Sequence, residues 1–244
     1  MPKKNIQKAA LITGGAKRIG QAICLKLADS GYDIALHYDQ SKKEALQTAQ
    51  YIRKKGRDCA LFRCDLANQQ ETSRLIKTVQ KTFSDLNLLV NNASVFKPST
   101  LKKSSLKDLD RDLSLNLKTP FILTRDFANI CKQGQIINLL DTNIVQHQSS
   151  HFIYLLTKKA LHELTKMAAV ELGPQIRVNA IAPGFILPPA GKTDSKKLIK
   201  NIPLKRQGNL FNISQAVEFL IKNEYLTGQV IFVDGGKSLW PQSA

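Results

Sequence analysis

The chain has 244 residues, of which 43% are hydrophobic and 23% charged, and it carries a formal net charge of +17. This length is enough to bury one large core, and alternating α/β chains of this size form single domains. The N-terminal stretch MPKKNIQKAALITGG has too short an apolar run for a signal peptide or a membrane span, so we expect no membrane association.

The high positive charge is compatible with nucleic acid, an acidic partner protein or polyanionic small molecules as ligands. It is equally compatible with a lysine-rich solvated surface. Because the sequence has neither a clustered basic tail nor a basic stripe interleaved with aromatic residues, we expect no nucleic-acid binding. The cysteines form no CxxC pair and show no metal-ligand spacing, which predicts a reduced cytoplasmic protein without a metal site. They are Cys24, Cys59, Cys64 and Cys131.

Apolar runs alternate with amphipathic stretches along the chain. Strands are predicted over residues 9–13, 34–38, 59–63, 86–90, 135–140, 176–182 and 228–233. Helices are predicted over residues 18–30, 42–55, 69–84, 107–131, 152–172 and 214–222. The strands are almost continuously apolar, which favours a parallel sheet covered by helices on both faces. The predicted fold is α/β, a doubly wound Rossmann-type sheet of about seven strands, in one domain over residues 1–244.

A glycine-rich turn, LITGGAKRIG (11–20), follows the first strand and opens the first helix. This is where a doubly wound fold binds a dinucleotide pyrophosphate, and Gly14 and Gly20 allow the tight turn. Arg18 stands where a third glycine is usual. Together with Lys17 it supplies more positive charge than a pyrophosphate needs, which suits a 2′-phosphate on the adenosine ribose. The alternative is a solvated helix start, although cations there oppose the helix dipole.

The end of the second strand, LHYDQS (36–41), bears on the same choice of cofactor. Tyr38 occupies the position at which an NAD site holds a carboxylate to the ribose, and this favours NADPH. Asp39 follows directly and would repel a 2′-phosphate unless it points away.

Seven motifs stand in order along the chain: TGGAKRIG, CDL (64–66), NNAS (91–94), LSLNLKT (113–119), YLLTK (154–158), RVNAIAPG (177–184) and GQVIFVDGG (228–236). With them the chain resembles the short-chain dehydrogenase/reductase family over essentially its whole length. Four departures from the common pattern make it look most like the pteridine and dihydromonapterin reductases of that family. They are Arg18 for glycine, Ser94 after Asn-Asn-Ala, Phe96 two residues later, and Asp141 for serine.

The resemblance implies roles for individual residues. NADPH would be bound by Gly14, Lys17, Arg18, Ile19, Gly20, His37, Tyr38, Ser41, Asp65, Leu66, Asn92, Ala93, Ser94, Tyr154, Lys158, Pro183 and Gly184. The proton relay would consist of Asn116, Tyr154 and Lys158. The chemistry of a pterin or folate substrate further suggests contacts with Arg18, Ser94, Phe96, Asp141 and Tyr154, with ordinary loop packing as the alternative for Phe96.

Reduction of a pterin C=N bond needs a hydride on carbon and a proton on nitrogen. Tyrosine is a poor acid because its pKa is about 10. A Lys158 ammonium one helical turn away and the positive nicotinamide of the oxidised cofactor should lower the pKa of Tyr154. A ketone needs only a neutral hydroxyl beside the tyrosine, whereas a pterin presents ring nitrogens and an amino group. We therefore expect Asp141 to be partly protonated and to pass a proton toward Tyr154 or the ring nitrogen; the alternative is a turn acid in a degenerate site.

Residues 190–206 hold six basic residues and one acidic residue. The resemblance implies that residues 185–210 form a lid over the substrate, and a cationic lid would steer anionic ligands such as a folate or an acidic carrier protein. A solvated loop is the alternative.

The leading interpretation is NADPH-dependent reduction of dihydromonapterin, dihydrobiopterin or dihydrofolate. A 3-oxoacyl carrier-protein reductase and a catalytically silent NADPH-binding regulatory protein stay as alternatives. The resemblance also implies a homotetramer built through the helices at 107–131 and 152–172.

Overall fold

The computed structural model describes residues 8–187 and 199–239. Three segments lie outside the described residues: the basic N-terminal start (1–7), most of the lysine-rich segment (188–198) and the last five residues (240–244). Of the predicted lid, only its two ends are therefore described.

Seven strands form one parallel sheet in the order β3-β2-β1-β4-β5-β6-β7. They are β1 (Lys8–Ile12), β2 (Tyr32–Tyr38), β3 (Cys59–Arg63), β4 (Leu86–Asn91), β5 (Gly134–Leu139), β6 (Ile176–Pro183) and β7 (Val230–Val233). The chain winds outward from β1 to β3 and then crosses back to β4, so the order reverses between β1 and β4. This topology confirms the predicted doubly wound sheet.

The helices follow the predicted ones with two differences. Their bounds are α1 (Arg18–Asp29), α2 (Lys42–Lys54), α3 (Gln69–Thr82), α4 (Leu106–Leu113), α5 (Thr119–Cys131), α6 (Phe152–Leu172) and α7 (Leu210–Lys222). The helix predicted over 107–131 is interrupted by a π-helical turn at Ser114–Lys118. Helix α7 begins four residues before the predicted start at 214, because Asn209 and Asn212 cap its first turn reciprocally. Across 8–187 and 199–239, no helix combines the length and apolar character needed to cross a membrane.

Helices cover both faces of the sheet. One layer of the core packs α1, α2 and α7 against the sheet, and the other packs α3, α5 and α6 against the opposite face. Every residue of β2 is buried as a result, which explains why the parallel strands are almost continuously apolar. The carboxyl ends of the strands all open toward one edge, where the candidate site lies.

Candidate active site

A cleft of about 360 Å³ opens at the edge of the sheet where the strand order reverses. In doubly wound folds this crevice, outside the carboxyl ends of the strands, is where ligands bind. The cleft is lined by Gly14, Lys17, Arg18, Ile19, Gly20, His37, Asp39, Asp65, Leu66, Ala67, Asn92, Ala93, Ser94 and Leu115. Most of the residues predicted to bind the cofactor are thus brought together.

The glycine-rich turn between β1 and α1 depends on the absence of side chains. Gly14 has φ +64, and a Cβ on Gly20 would overlap the carbonyl oxygen of Gly14. Arg18 adopts a left-handed φ of 56 in the same turn, a conformation that costs an L-residue about 1–2 kcal/mol. The chain therefore keeps a bulky cation at a position where glycine would be less strained.

His37 fixes this turn from the second strand. Its Nδ1 accepts a hydrogen bond from the Gly14 N–H (3.0 Å), so its Nε2 carries the proton and donates to the Cys64 carbonyl (2.9 Å). Burial lowers the pKa of His37, which agrees with a neutral ring. The imidazole thus links the glycine-rich turn to the end of β3.

Tyr38 lies away from the cleft. Successive side chains of a strand point to opposite faces, so His37 and Asp39 face the cleft while Tyr38 packs in the hydrophobic core. Ser41 stands at the start of α2 as its N-cap residue. Among the described residues, Lys17 forms no ion pair with a carboxylate, and neither does Arg18. The cleft therefore offers two cations without an ion-pair partner in the described part of the chain, and two carboxylates, Asp39 and Asp65.

Tyr154 and Asp141 are in direct contact. The Tyr154 hydroxyl donates to Asp141 Oδ2 at 3.1 Å. Asp141 lies two residues beyond the end of β5, and Tyr154 lies in the first turn of α6. One turn later, the Lys158 ammonium donates to the Leu139 carbonyl at 2.7 Å. This bond ties the lysine to the last residue of β5, so strand and helix together hold the three side chains at one point.

The surroundings of Tyr154 favour the protonated form of its hydroxyl. Burial raises the pKa of Tyr154 well above its usual value, and the nearby Asp141 carboxylate raises it further. Burial also lowers the pKa of Lys158 to about 8, an effect that Asp141 partly offsets. The expected lowering of the tyrosine pKa is therefore absent, because burial and the Asp141 carboxylate both raise the pKa.

Asn116 occupies the π-helical turn and is fully buried. Its Oδ1 accepts from the Val95 N–H (2.9 Å) and the Ser94 hydroxyl (3.0 Å). Its Nδ2 donates to the Val95 carbonyl (3.1 Å) and the Thr157 hydroxyl (3.2 Å). Asn116 thus joins the loop after β4 to the helix that carries Tyr154, and it binds Ser94 directly.

His151 is a residue of the site that the sequence analysis did not single out. Its ring stacks on Phe96 with centroids 4.1 Å apart and planes at 7°, while Phe96 meets the Tyr154 ring edge-on at 4.7 Å. One face of Phe96 is therefore covered by His151. His151 precedes α6 as its N-cap residue with a left-handed φ of 55, so helical spacing gives no signal for it in the sequence.

Pro183 and Gly184 lie at the end of β6, outside the lining of the cleft. Gly184 donates its N–H to the Val233 carbonyl at 3.0 Å, and a Cβ on this glycine would stand 2.6 Å from the Asp234 Cα. The turn is therefore packed against the end of β7 with no room for a side chain.

A doubly wound sheet with a glycine-rich turn at its crevice, and a Tyr–Lys pair one helical turn apart beside it, defines an oxidoreductase that uses a dinucleotide. A family model described as enoyl-(acyl carrier protein) reductase matches residues 14–238. The 3-oxoacyl-(acyl-carrier-protein) reductase FabG of Staphylococcus aureus is 35% identical over 241 residues, which cover 94% of this chain and 97% of that protein. The chain belongs to the short-chain dehydrogenase/reductase family.

Solved structures give a second comparison. FolM alternative dihydrofolate reductase 1 from Brucella canis, complexed with NADP, superposes with a TM-score of 0.91 at 34% identity and covers 98% of this chain and 97% of its own. The corresponding protein of Brucella suis, also with NADP, gives a TM-score of 0.92 at 33% identity, with 98% of both chains covered.

Proposed function

We propose that the chain is an NADPH-dependent pterin reductase, which converts dihydromonapterin, dihydrobiopterin or dihydrofolate to the tetrahydro form. The observation that carries the proposal is the hydrogen bond from Tyr154 to the Asp141 carboxylate at 3.1 Å. A carboxyl at this point can both accept and donate toward a nitrogen heterocycle, whereas a ketone needs only a hydroxyl. The likeness to alternative dihydrofolate reductases supports the same substrate class.

The residues of the cleft fit NADPH. The glycine-rich turn leaves room for a pyrophosphate at the start of α1, and Lys17 and Arg18 offer uncompensated positive charge for a 2′-phosphate. Two structural relatives are complexed with NADP. When bound, NADPH supplies the hydride. Asn92 and Ala93 would lie along its nicotinamide ribose, and Pro183 and Gly184 near its nicotinamide ring.

The protein's own task is to deliver the proton. Tyr154, whose pKa is raised, keeps its proton and would give it to the ring nitrogen as the adjacent carbon receives the hydride. The Lys158 ammonium would stabilise the phenolate that remains. Asp141 would then return a proton to the phenolate from solvent, and the exposed Phe96 ring would stack on the pterin.

Replacing Asp141 by serine and by asparagine tests this proposal. Both variants should lose at least about tenfold in kcat/KM for a 7,8-dihydropterin, because neither can relay a proton as a carboxyl does. Their Kd for NADPH, measured by fluorescence titration, should stay close to that of the unmodified chain. Full retention of pterin turnover by both variants would contradict the proposal.

A 3-oxoacyl carrier-protein reductase is the second candidate, because relatives of that name from two Staphylococcus species are 35–36% identical to this chain. Asp141 and Phe96 favour a pterin substrate over an acyl thioester. The two functions are separated by NADPH oxidation with 7,8-dihydropterins, acetoacetyl thioesters and steroids as substrates. Turnover of the thioester alone would favour the second candidate.

We further propose that the chain forms a homotetramer through α4, α5 and α6. Large apolar side chains are exposed on α5 and α6, and exposed apolar groups of this kind mark association surfaces. They are Phe121, Leu156, Met167 and Val170. Val170→Lys should reduce the mass measured by light scattering, whereas Val170→Leu, which keeps the surface apolar, should not.

A further inference from the structure

The two oxygens of the Asp141 carboxylate have different partners. Oδ2 accepts the Tyr154 hydroxyl at 3.1 Å. Oδ1 accepts two donors from one residue, the backbone N–H and the side-chain amide of Asn143, both at 2.8 Å. Asn143 therefore occupies one oxygen completely and leaves the other to face the phenol.

The Asn143 amide is itself oriented by a neighbour. Gln148 Nε2 donates to Asn143 Oδ1 at 2.9 Å, so the amide nitrogen of Asn143 must point toward Asp141. The loop is also held at its base. Thr142 donates to Asp234 Oδ2 at 2.5 Å, and Asp234 in turn accepts the backbone N–H groups of Gly236 and Ser238.

Such support matters because the terminal torsion of an aspartate side chain is soft, with broad, roughly two-fold minima. A carboxylate without fixed partners would rotate and would present its oxygens to Tyr154 only part of the time. We propose that Asn143 is a positioning residue, with Gln148 behind it, that holds the Asp141 carboxylate against the Tyr154 hydroxyl. The effect of Asn143 on turnover rests on the proposed pterin reduction. Its effect on the position of the Asp141 carboxylate does not depend on the substrate.

The geometry gives a readout that is independent of substrate. The charged and titratable groups around Tyr154 are Asp141 from the loop after β5, Lys158 from α6, and His151, the N-cap residue of α6, whose ring stacks on Phe96. The Asp141 carboxylate raises the Tyr154 pKa. If the hydrogen bonds from Asn143 are lost, the Asp141 carboxylate can rotate away from the phenol. Its effect on the Tyr154 pKa should then become smaller, and that pKa should fall.

The experiment is an ultraviolet difference titration of the Tyr154 phenol in the NADP⁺ complex, with Tyr154→Phe subtracted. The positive nicotinamide brings the ionisation into an accessible pH range. Asn143→Ala should lower the phenol pKa in the same direction as Asp141→Asn, and Gln148→Ala should do so by less. Val145→Ala, which truncates an exposed side chain in the same turn, should titrate like the unmodified chain.

The double variant Asp141→Asn/Asn143→Ala completes a thermodynamic cycle. Because Asn143 acts through Asp141, the double variant should titrate like Asp141→Asn alone. In pterin turnover, Asn143→Ala should lower kcat roughly tenfold and change KM much less, as expected for the loss of a hydrogen bond to a charged group.

Two results would overturn the inference: an Asn143→Ala variant with an unchanged phenol titration, or a further shift in the double variant. If the unmodified chain reduces no pterin, the proposed function fails, but the titration still decides whether Asn143 positions Asp141.

Discussion

Replacing Arg18 by glycine and by alanine separates the backbone strain of the glycine-rich turn from its charge. Arg18 has φ 56, a left-handed conformation, and its side chain lines the cleft. Both substitutions remove the guanidinium. Only the glycine also removes the Cβ that makes this conformation unfavourable, so the difference between the two variants measures the strain alone.

The expected magnitude follows from the conformation. A left-handed L-residue costs about 1–2 kcal/mol, and the greater freedom of glycine in the unfolded chain takes back about 0.4–1 kcal/mol. The glycine variant should therefore be about 1 kcal/mol more stable than the alanine variant. For a chain of this size, that difference raises Tm by about 2–4 °C. Loss of a cation from the start of α1 affects both variants equally and cancels.

Two measurements check this reasoning. Calorimetry should give the higher Tm for Arg18→Gly, and titration with NADPH should give a Kd raised about tenfold or more in both variants, since each loses a charged hydrogen-bond donor. Equal melting temperatures would refute the inference of strain. Unchanged NADPH affinity in both would show that the guanidinium makes no contact with the cofactor.

Three further predictions concern charge. Asp39→Asn should raise the ratio of kcat/KM for NADPH to that for NADH about tenfold, because a carboxylate in the cleft repels a 2′-phosphate; an unchanged ratio would mean that Asp39 points away from the ribose. Burial lowers the pKa of Lys158 from 10.5 to about 8, so between these values the unfolded chain binds more protons than the folded chain. The free energy of unfolding should rise with pH in this window relative to Lys158→Met, and parallel denaturant curves for the two proteins would contradict this sign. If residues 190–206 steer anions, kcat/KM for dihydrofolate should fall more steeply with ionic strength than for uncharged biopterin, and equal slopes would remove the steering claim.

The sequence predicts the fold well where local pattern and packing agree. Strand β3 and helix α6 have the predicted bounds, because their apolar positions match the buried face. The interruption at Ser114–Lys118 could not be predicted from local sequence. The Asn116 side chain in this turn binds Val95 and Thr157, which lie 21 and 41 positions away in the sequence. The early start of α7 had a signal, because asparagine at position 209 is a preferred N-cap residue.

Some residues of the candidate site can likewise be predicted from the sequence, and others cannot. Tyr154 and Lys158 share a face because residues four apart on a helix always do. The sequence motif predicts that both His37 and Tyr38 bind the cofactor, but strand alternation directs only His37 to the cleft and turns Tyr38 into the core. Asn143 was not predictable, because the loop DTNIVQHQSS offers several amides and no periodicity, and only its folded path decides which amide meets the carboxylate.

The π-helical turn has a consequence for how the chain tolerates length changes. Such a turn acts as one extra residue inside an otherwise regular helix. Deleting a single residue between 114 and 118 would let α4 and α5 merge into one continuous α-helix. The backbone N–H groups across the former turn would then each bond to the carbonyl four residues earlier. The flanking helices would keep their relative orientation, because the wide turn already absorbs the extra residue. The residues within the turn, however, would move to regular helical positions, and Asn116 would lose its contacts with Val95 and Thr157. A deletion that makes the helix more regular would thus remove the Asn116 hydrogen bonds that connect the loop after β4 to the helix of Tyr154.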